Sequence, residues 1–113
     1  MDFQKLREKI LQFREERDWK QFHNPKDLAA AIAIEASELQ EKFLWRSQEE
    51  SYTIWKEDSE VHEEFADIMS FMILFAEECW IDIEDVMMKK IDKNAEKYSI
   101  EKSKWTNLKY NKI

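Results

Sequence analysis

Apolar residues recur every three or four positions along four stretches of the chain, the period of a helix with one buried face. The first stretch runs from about Phe3 to Arg17, with Phe3, Leu6, Ile10 and Phe13 in the row. A polar break follows from Asp18 to Asn24. The second helix has a clear start: Asn24 can cap it, Pro25 suits the first helical position, and Asp27 faces the positive end of the helix dipole. It carries Leu28, Ala31, Ile32, Leu39 and Phe43 and is predicted to end near Trp45 and Arg46. Ser47 to Ser59 is polar, a loop with a short helical turn around Tyr52, Thr53, Ile54 and Trp55. A third helix is expected from about Glu60 to Trp80, with Val61, Phe65, Ile68, Met72, Phe75 and Cys79 facing inward. Asp82 can cap a fourth, with Asp85 three residues on, in which Ile83, Val86, Met87 and Ile91 lead toward Tyr98. Residues 99–113 show no clear pattern; Trp105 and Leu108 there are candidates for docking on the body or on another subunit.

Composition sharpens this to an all-α fold. The chain has no glycine and one proline, Pro25, whereas sheets and tight turns usually need more of both. Its 113 residues suffice for one domain, with a core of about 3–98 and a tail of 99–113. Four helices of this length make a thin core, yet the chain holds seven Phe and five Trp that need cover. Association into a homodimer or homotetramer is the usual remedy. The net charge of −7 argues against a nucleic-acid polymer as partner, because that binding rests on Lys and Arg neutralising phosphates. Cys79 is the only cysteine, so no intrachain disulfide forms, and its apolar setting reads as packing. No apolar run reaches the roughly 18 residues of a membrane span, and the N-terminus lacks a signal-peptide pattern, so a cytoplasmic protein is expected.

Two acidic motifs carry the chemistry. Glu35-Ala-Ser-Glu38 and Glu64-Phe-Ala-Asp67 each place two carboxylates three residues apart, on one helix face. Glu35 lies seven residues after Leu28 and four before Leu39, in the middle of the apolar row, where a surface glutamate does not belong. If the two helices pack together, four carboxylates converge, and like charges that close cannot all stay ionised alone. A hard divalent cation with oxygen ligands resolves the conflict, Mg²⁺ first and Mn²⁺ as a substitute; buried ion pairs to Lys or Arg are the competing reading. Glu41 extends the first row and could be a further ligand, a base or a surface residue. Glu57, Glu60 and Glu63 share the spacing but read as a solvated face. His23 suits a structural or ligand-contacting role better than general-base catalysis, and His62 reads as solvated. Trp19 and Trp45 bracket the second helix and could both reach one end of a bundle, where aromatic rings either pack or stack on a base.

The segment from Glu16-Arg17-Asp18-Trp19-Lys20-Gln21-Phe22-His23 through Glu35 to Trp45 closely resembles the MazG-like nucleotide pyrophosphohydrolases, nearest their small dCTP pyrophosphatase branch. Glu64-Phe-Ala-Asp67 is similar to that family's second acidic motif, and Lys90 to Tyr98 to its C-terminal phosphate-contacting motif. The resemblance spans roughly residues 3 to 98. It implies a four-helix bundle of the all-α NTP pyrophosphatase type completed by oligomerisation, with Mg²⁺ held by Glu35, Glu38, Glu64 and Asp67. It also implies cleavage of a nucleoside triphosphate to monophosphate and pyrophosphate, with Glu35 or Glu38 as the catalytic carboxylate. Trp19, His23 and Trp45 match positions near the base and sugar, and Lys90, Asn94, Lys97 and Tyr98 match positions that hold the phosphates. Two positions depart from the family pattern: Ile34 stands where members often carry a glutamate, and Lys97 where an arginine is usual, losing bidentate phosphate geometry. The alternatives are a related pyrophosphohydrolase acting on dUTP or phosphoribosyl-ATP, and a non-catalytic helical oligomer whose acidic core binds metal or a basic partner.

Overall fold

The structure, a computed structural model, describes residues 1–112; Ile113, the last residue of the predicted domain and tail, lies outside the described residues. Seven α-helices follow one another, with no strand among the described residues: α1 (Phe3–Glu16), α2 (Pro25–Glu41), α3 (Gln48–Ser51), α4 (Ile54–Glu57), α5 (Ser59–Glu78), α6 (Ile83–Lys97) and α7 (Ile100–Ser103). Short 3₁₀ turns cover Lys20–Phe22 and Tyr110–Lys112. The all-α expectation holds. The chain divides into two compact units, Met1–Trp80 and a second from Ile81 onward, described in turn.

Local chemistry sets the helix starts. Asn24 accepts from the Asp27 N–H at 2.9 Å with Pro25 at the first turn, as expected. Asp2 and Asp58 cap α1 and α5 in the same way, through the Lys5 and Glu60 amides. Ser47 and Glu50 form a reciprocal capping box on α3.

Helix ends were harder to foresee. With no glycine available, the left-handed positions after helices fall to other residues: Asp18 (φ 54°), Trp45 (φ 65°) and Trp80 (φ 55°) in the first unit. A bulky residue in that region costs about 1–2 kcal/mol. α2 accordingly stops at Glu41 rather than near Trp45, because Phe43 and Leu44 bond three residues back, to Gln40 and Glu41, and Trp45 reverses the backbone.

In the first unit α2 packs along α5, and α1 also packs on α5. The buried apolar residues are Leu28 from α2, Ile54 from α4, and Val61, Ile73, Leu74 and Ala76 from α5. This corrects part of the predicted α5 face. Phe65 and Met72 were expected inside but are 61% and 46% exposed, since α5 is apolar around most of its circumference and this chain covers only one side. The polar stretch 47–59 holds two single-turn helices rather than one, and Ile54 seals the end of the core. Lys42 bridges the end of α2 to the start of α5 through Glu60 and, at 3.4 Å, Asp58. Glu60 is therefore tied to Lys42 rather than merely solvated. His62, also read as solvated, is exposed, but its Nε2 lies 2.9 Å from the Trp55 carbonyl oxygen.

The second unit contains no buried apolar residue among those described. Asp82 caps α6 through the Asp85 amide, as the spacing predicted. The tail is more ordered than its pattern suggested. Ser99 caps α7, and Tyr110 packs edge-on against Tyr98 at 6.0 Å with the Lys97 ammonium 5.0 Å from its ring centre. Trp105 is 94% exposed.

Among the described residues, Leu28 is the most deeply buried core side chain, at 1% exposure. Leu28→Ala is expected to cost about 2–5 kcal/mol in urea unfolding. Leu44→Ala, at an exposed site, is expected to stay within about 0.5 kcal/mol. Equal costs at the two sites would show that the core is not centred where α2 meets α5.

Candidate functional site

The packing of α2 on α5 brings the two acidic motifs face to face. Glu35, Glu64 and Asp67 each place one carboxylate oxygen within 4.8 Å of the others. Glu38 stands beside this trio and acts on both Glu35 and Glu64 through hydrogen bonding and charge. None of the four carboxylates pairs with Lys, Arg or His among the described residues, which removes the ion-pair reading.

The electrostatics bear the mark of that missing counter-charge. Burial pushes the Glu35 carboxyl up, hydrogen bonds with Glu64 and Glu38 push it further, and the charges of Glu38 and Asp67 add to this; it reaches about 7. Glu64 is pulled down most strongly by accepting from Glu35. Burial and the neighbouring Glu38 and Asp67 outweigh that pull, and its pKa is raised. Its Oε2 is buried without a hydrogen-bond partner. An all-oxygen donor set and an orphaned carboxylate oxygen fit a hard divalent cation. Glu41 is exposed and outside the trio.

A cavity of about 370 Å³ adjoins the cluster. Its walls include Trp19 and His23 from the α1–α2 connection, Phe13 and Arg14 from α1, and Asp67, Phe71 and Leu74 from α5. Asp67 thus belongs to both the cavity and the carboxylate cluster. Trp19 follows the left-handed Asp18 and meets Phe13 edge-to-face at 5.7 Å. His23 has its pKa lowered, first by burial and then by the charge of Arg14, against an opposing effect of Glu78. The imidazole is therefore neutral near pH 7, with Nδ1 buried and unpartnered.

The remaining predicted contacts lie elsewhere. Trp45 does not share the cavity: the 17 residues of α2 hold it about 25 Å from the Trp19 end, and it is 97% exposed. Both tryptophans therefore cannot reach one end of the bundle within one chain. In the second unit, Lys90, Asn94, Lys97 and Tyr98 fall at positions i, i+4, i+7 and i+8 on or just after α6, one face of the helix. Tyr110 rests against the last two. Sequence reasoning missed Arg14 as a cavity residue. The available signal was the one that exposed Glu35: a charge one position from Phe13 and four from Ile10, inside an apolar row.

A family model, MazG-like, matches residues 30–113. Among characterised proteins, dCTP pyrophosphatase 1 of Mus musculus is 34% identical over 102 residues, covering 88% of this chain and 60% of its own length. The Homo sapiens protein of the same name is 30% identical over 105 residues, covering 90% and 62%. The chain thus spans about three fifths of the length of these relatives. A crystal structure of a pyrophosphatase from Archaeoglobus fulgidus matches with a TM-score of 0.82 at 33% identity, covering 88% of this chain and 94% of that one.

A carboxyl raised in the folded state keeps a proton that the unfolded chain has lost, so its stabilisation is complete below the ordinary 4.5 and disappears as pH rises through about 7. In chelator, the melting temperature is expected to fall between these two values, and Glu35→Gln is expected to flatten the fall. Millimolar Mg²⁺ is expected to restore stability at the upper pH, because a cation binds the ionised cluster. A pH-independent melt in chelator, or one unmoved by Mg²⁺, would contradict this account.

Proposed function

The chain belongs to the MazG-like family, and on that premise we propose that it is a Mg²⁺-dependent nucleoside triphosphate pyrophosphohydrolase acting on dCTP or a modified dCTP. The observation that carries this reading is the sharing of Asp67 between the unpaired carboxylate cluster and the aromatic cavity. A phosphate-binding centre and a ring-sized pocket meet at one residue. The names of the relatives, dCTP pyrophosphatase 1, supply the base.

Glu35, Glu38, Glu64 and Asp67 would hold the cation, which when bound neutralises phosphate charge and polarises water. Trp19 offers a face for stacking the base, and the neutral His23 offers a ring nitrogen to hydrogen-bond the base or sugar. Glu35 or Glu38 accepts the proton of the water that attacks the anhydride between the α- and β-phosphates, releasing monophosphate and pyrophosphate. Lys90, Asn94, Lys97 and Tyr98, along one face of α6 and just past its end, are assigned to phosphate contacts on the family resemblance alone.

Self-association belongs to the same proposal. Phe65, Met69 and Met72, at i, i+4 and i+7 on α5, are each more than 40% exposed and form an apolar row that nothing in the first unit covers. Trp45, a helix length from the cavity of its own chain, would serve a site only across such an interface. A cytoplasmic setting fits a nucleotide substrate, and no described helix is long and apolar enough to cross a membrane.

Incubation with a panel of nucleoside triphosphates, with Mg²⁺ and with chelator, is expected to give monophosphate and pyrophosphate only with metal, fastest for dCTP or a modified dCTP. Orthophosphate release or a dead panel would reject the reading. Glu38→Gln is expected to keep the fold and lower kcat by about a hundredfold or more; a wild-type rate would remove Glu38 from the mechanism. Light scattering is expected to report a dimer or tetramer that Met69→Glu dissociates, and a monomeric wild type would refute the association.

A further inference from the structure

Arg14 is the one buried charged side chain among the described residues, 4% exposed. Burying a guanidinium is costly unless carboxylates surround it, and here they do. Nε and Nη2 donate to Glu15 Oε1 at 3.2 and 2.8 Å, and Nη1 donates to Glu78 Oε1 at 3.0 Å. Glu15 precedes the turn on α1, whereas Glu78 is the last residue of α5, so the guanidinium ties the end of one helix to the end of another.

The same residue also holds the backbone that displays Trp19. Its carbonyl oxygen accepts from the Trp19 N–H at 3.1 Å and the Arg17 N–H at 3.3 Å, closing the turn that passes through the left-handed Asp18. Phe13 and Trp19 meet edge-to-face above it, and the Arg17 guanidinium covers the other part of the Phe13 ring at 3.6 Å. Arg14 lines the cavity alongside Trp19 and His23. Nothing in the hydrolysis described above requires it.

We propose that Arg14 is a positioning residue: anchored on Glu15 and Glu78, it fixes Trp19 and His23 as the rigid wall against which the base is held. The proposal rests on reading the cavity as a nucleotide site, and it adds a cause for that site's shape. A ring pre-set by the fold loses little freedom when it stacks, so the contribution of Arg14 appears in affinity rather than in the chemical step. Lysine can keep one charge-assisted bond to Glu78 but not the two-carboxylate fork. A methionine of similar length fills the space and abolishes both.

The test compares wild type, Arg14→Lys and Arg14→Met in two ways. In the free protein, two-dimensional NMR of indole N–H and imidazole C–H groups is expected to show Trp19 and His23 signals displaced in Arg14→Met, intermediate in Arg14→Lys, with Trp105 unmoved. In turnover, Arg14→Met is expected to raise KM about tenfold with kcat within about twofold, and Arg14→Lys to recover most of the loss. Unmoved Trp19 and His23 signals, an unchanged KM, or a uniform shift of every indole with a lowered melting temperature would each overturn the positioning role. Because the NMR arm needs no nucleotide, a chain that hydrolyses none would defeat the proposed activity and still leave Arg14 to be judged.

Discussion

Everything at the α2–α5 contact depends on carboxylates that the fold brings together without a counter-charge. Two helices that pack along their length would ordinarily fill their seam with apolar side chains. Here the seam surrenders four positions, Glu35, Glu38, Glu64 and Asp67, to groups that repel one another. The tension is visible in Glu35, whose carboxyl is pushed up to about 7 by burial and its carboxylate neighbours, and in Glu64 Oε2, buried without a partner. A fold keeps such a conflict where something else resolves it, and an oxygen-lined trio less than 5 Å across is the size and chemistry a hard cation needs.

The rest of the first unit serves to hold that seam. Its buried apolar set is small: Leu28, Ile54, Val61, Ile73, Leu74 and Ala76. Three further apolar side chains of α5, Phe65, Met69 and Met72, face outward, so a single copy leaves part of its hydrophobic driving force unused. Polar ties compensate in part: Lys42 joins α2 to α5, and Arg7 and Arg14 join α1 to α5 through Glu77 and Glu78. The Arg7 and Lys42 pairs are charge-assisted contacts of limited net value at partly exposed sites, whereas the Arg14 guanidinium is buried with its carboxylates. They fix helix registers more than they add stability, and register is what a site assembled from three segments requires.

What could be read from the residues was whatever depends on periodicity and on capping chemistry. Asn24-Pro25 and Asp82 marked the starts of α2 and α6 because an N-cap is a local bond between residues three apart. The two acidic motifs stood out because a charge inside an apolar row violates the pattern around it. Helix ends were less legible. In a glycine-free chain the left-handed residue after a helix carries no signature, so the stop at Glu41, enforced by Trp45 at φ 65°, had no visible cause in the sequence. The inward face of α5 was misjudged at Phe65 and Met72 because a helix apolar on most sides has no single stripe to follow. Trp19 and Trp45 were placed together by their chemistry, and only the length of the helix between them separates them.

Asp67 explains why the cavity and the carboxylate cluster should be considered one site. Asp67 is exposed, lining the pocket on one side and meeting the carboxylates of Glu35 and Glu64 on the other. A ligand that carries only a ring would leave the charge on Asp67 facing it unrelieved, and a cation alone would leave Trp19 and His23 unused. A molecule with a flat ring at one end and a metal-binding polyphosphate at the other satisfies both halves at once. On the proposed nucleotide reading, that fit reflects the position of one residue between two environments. The same reading orders the site: Arg14 and the α1–α2 turn would set where the ring lies, and the α2–α5 seam where the charge lies.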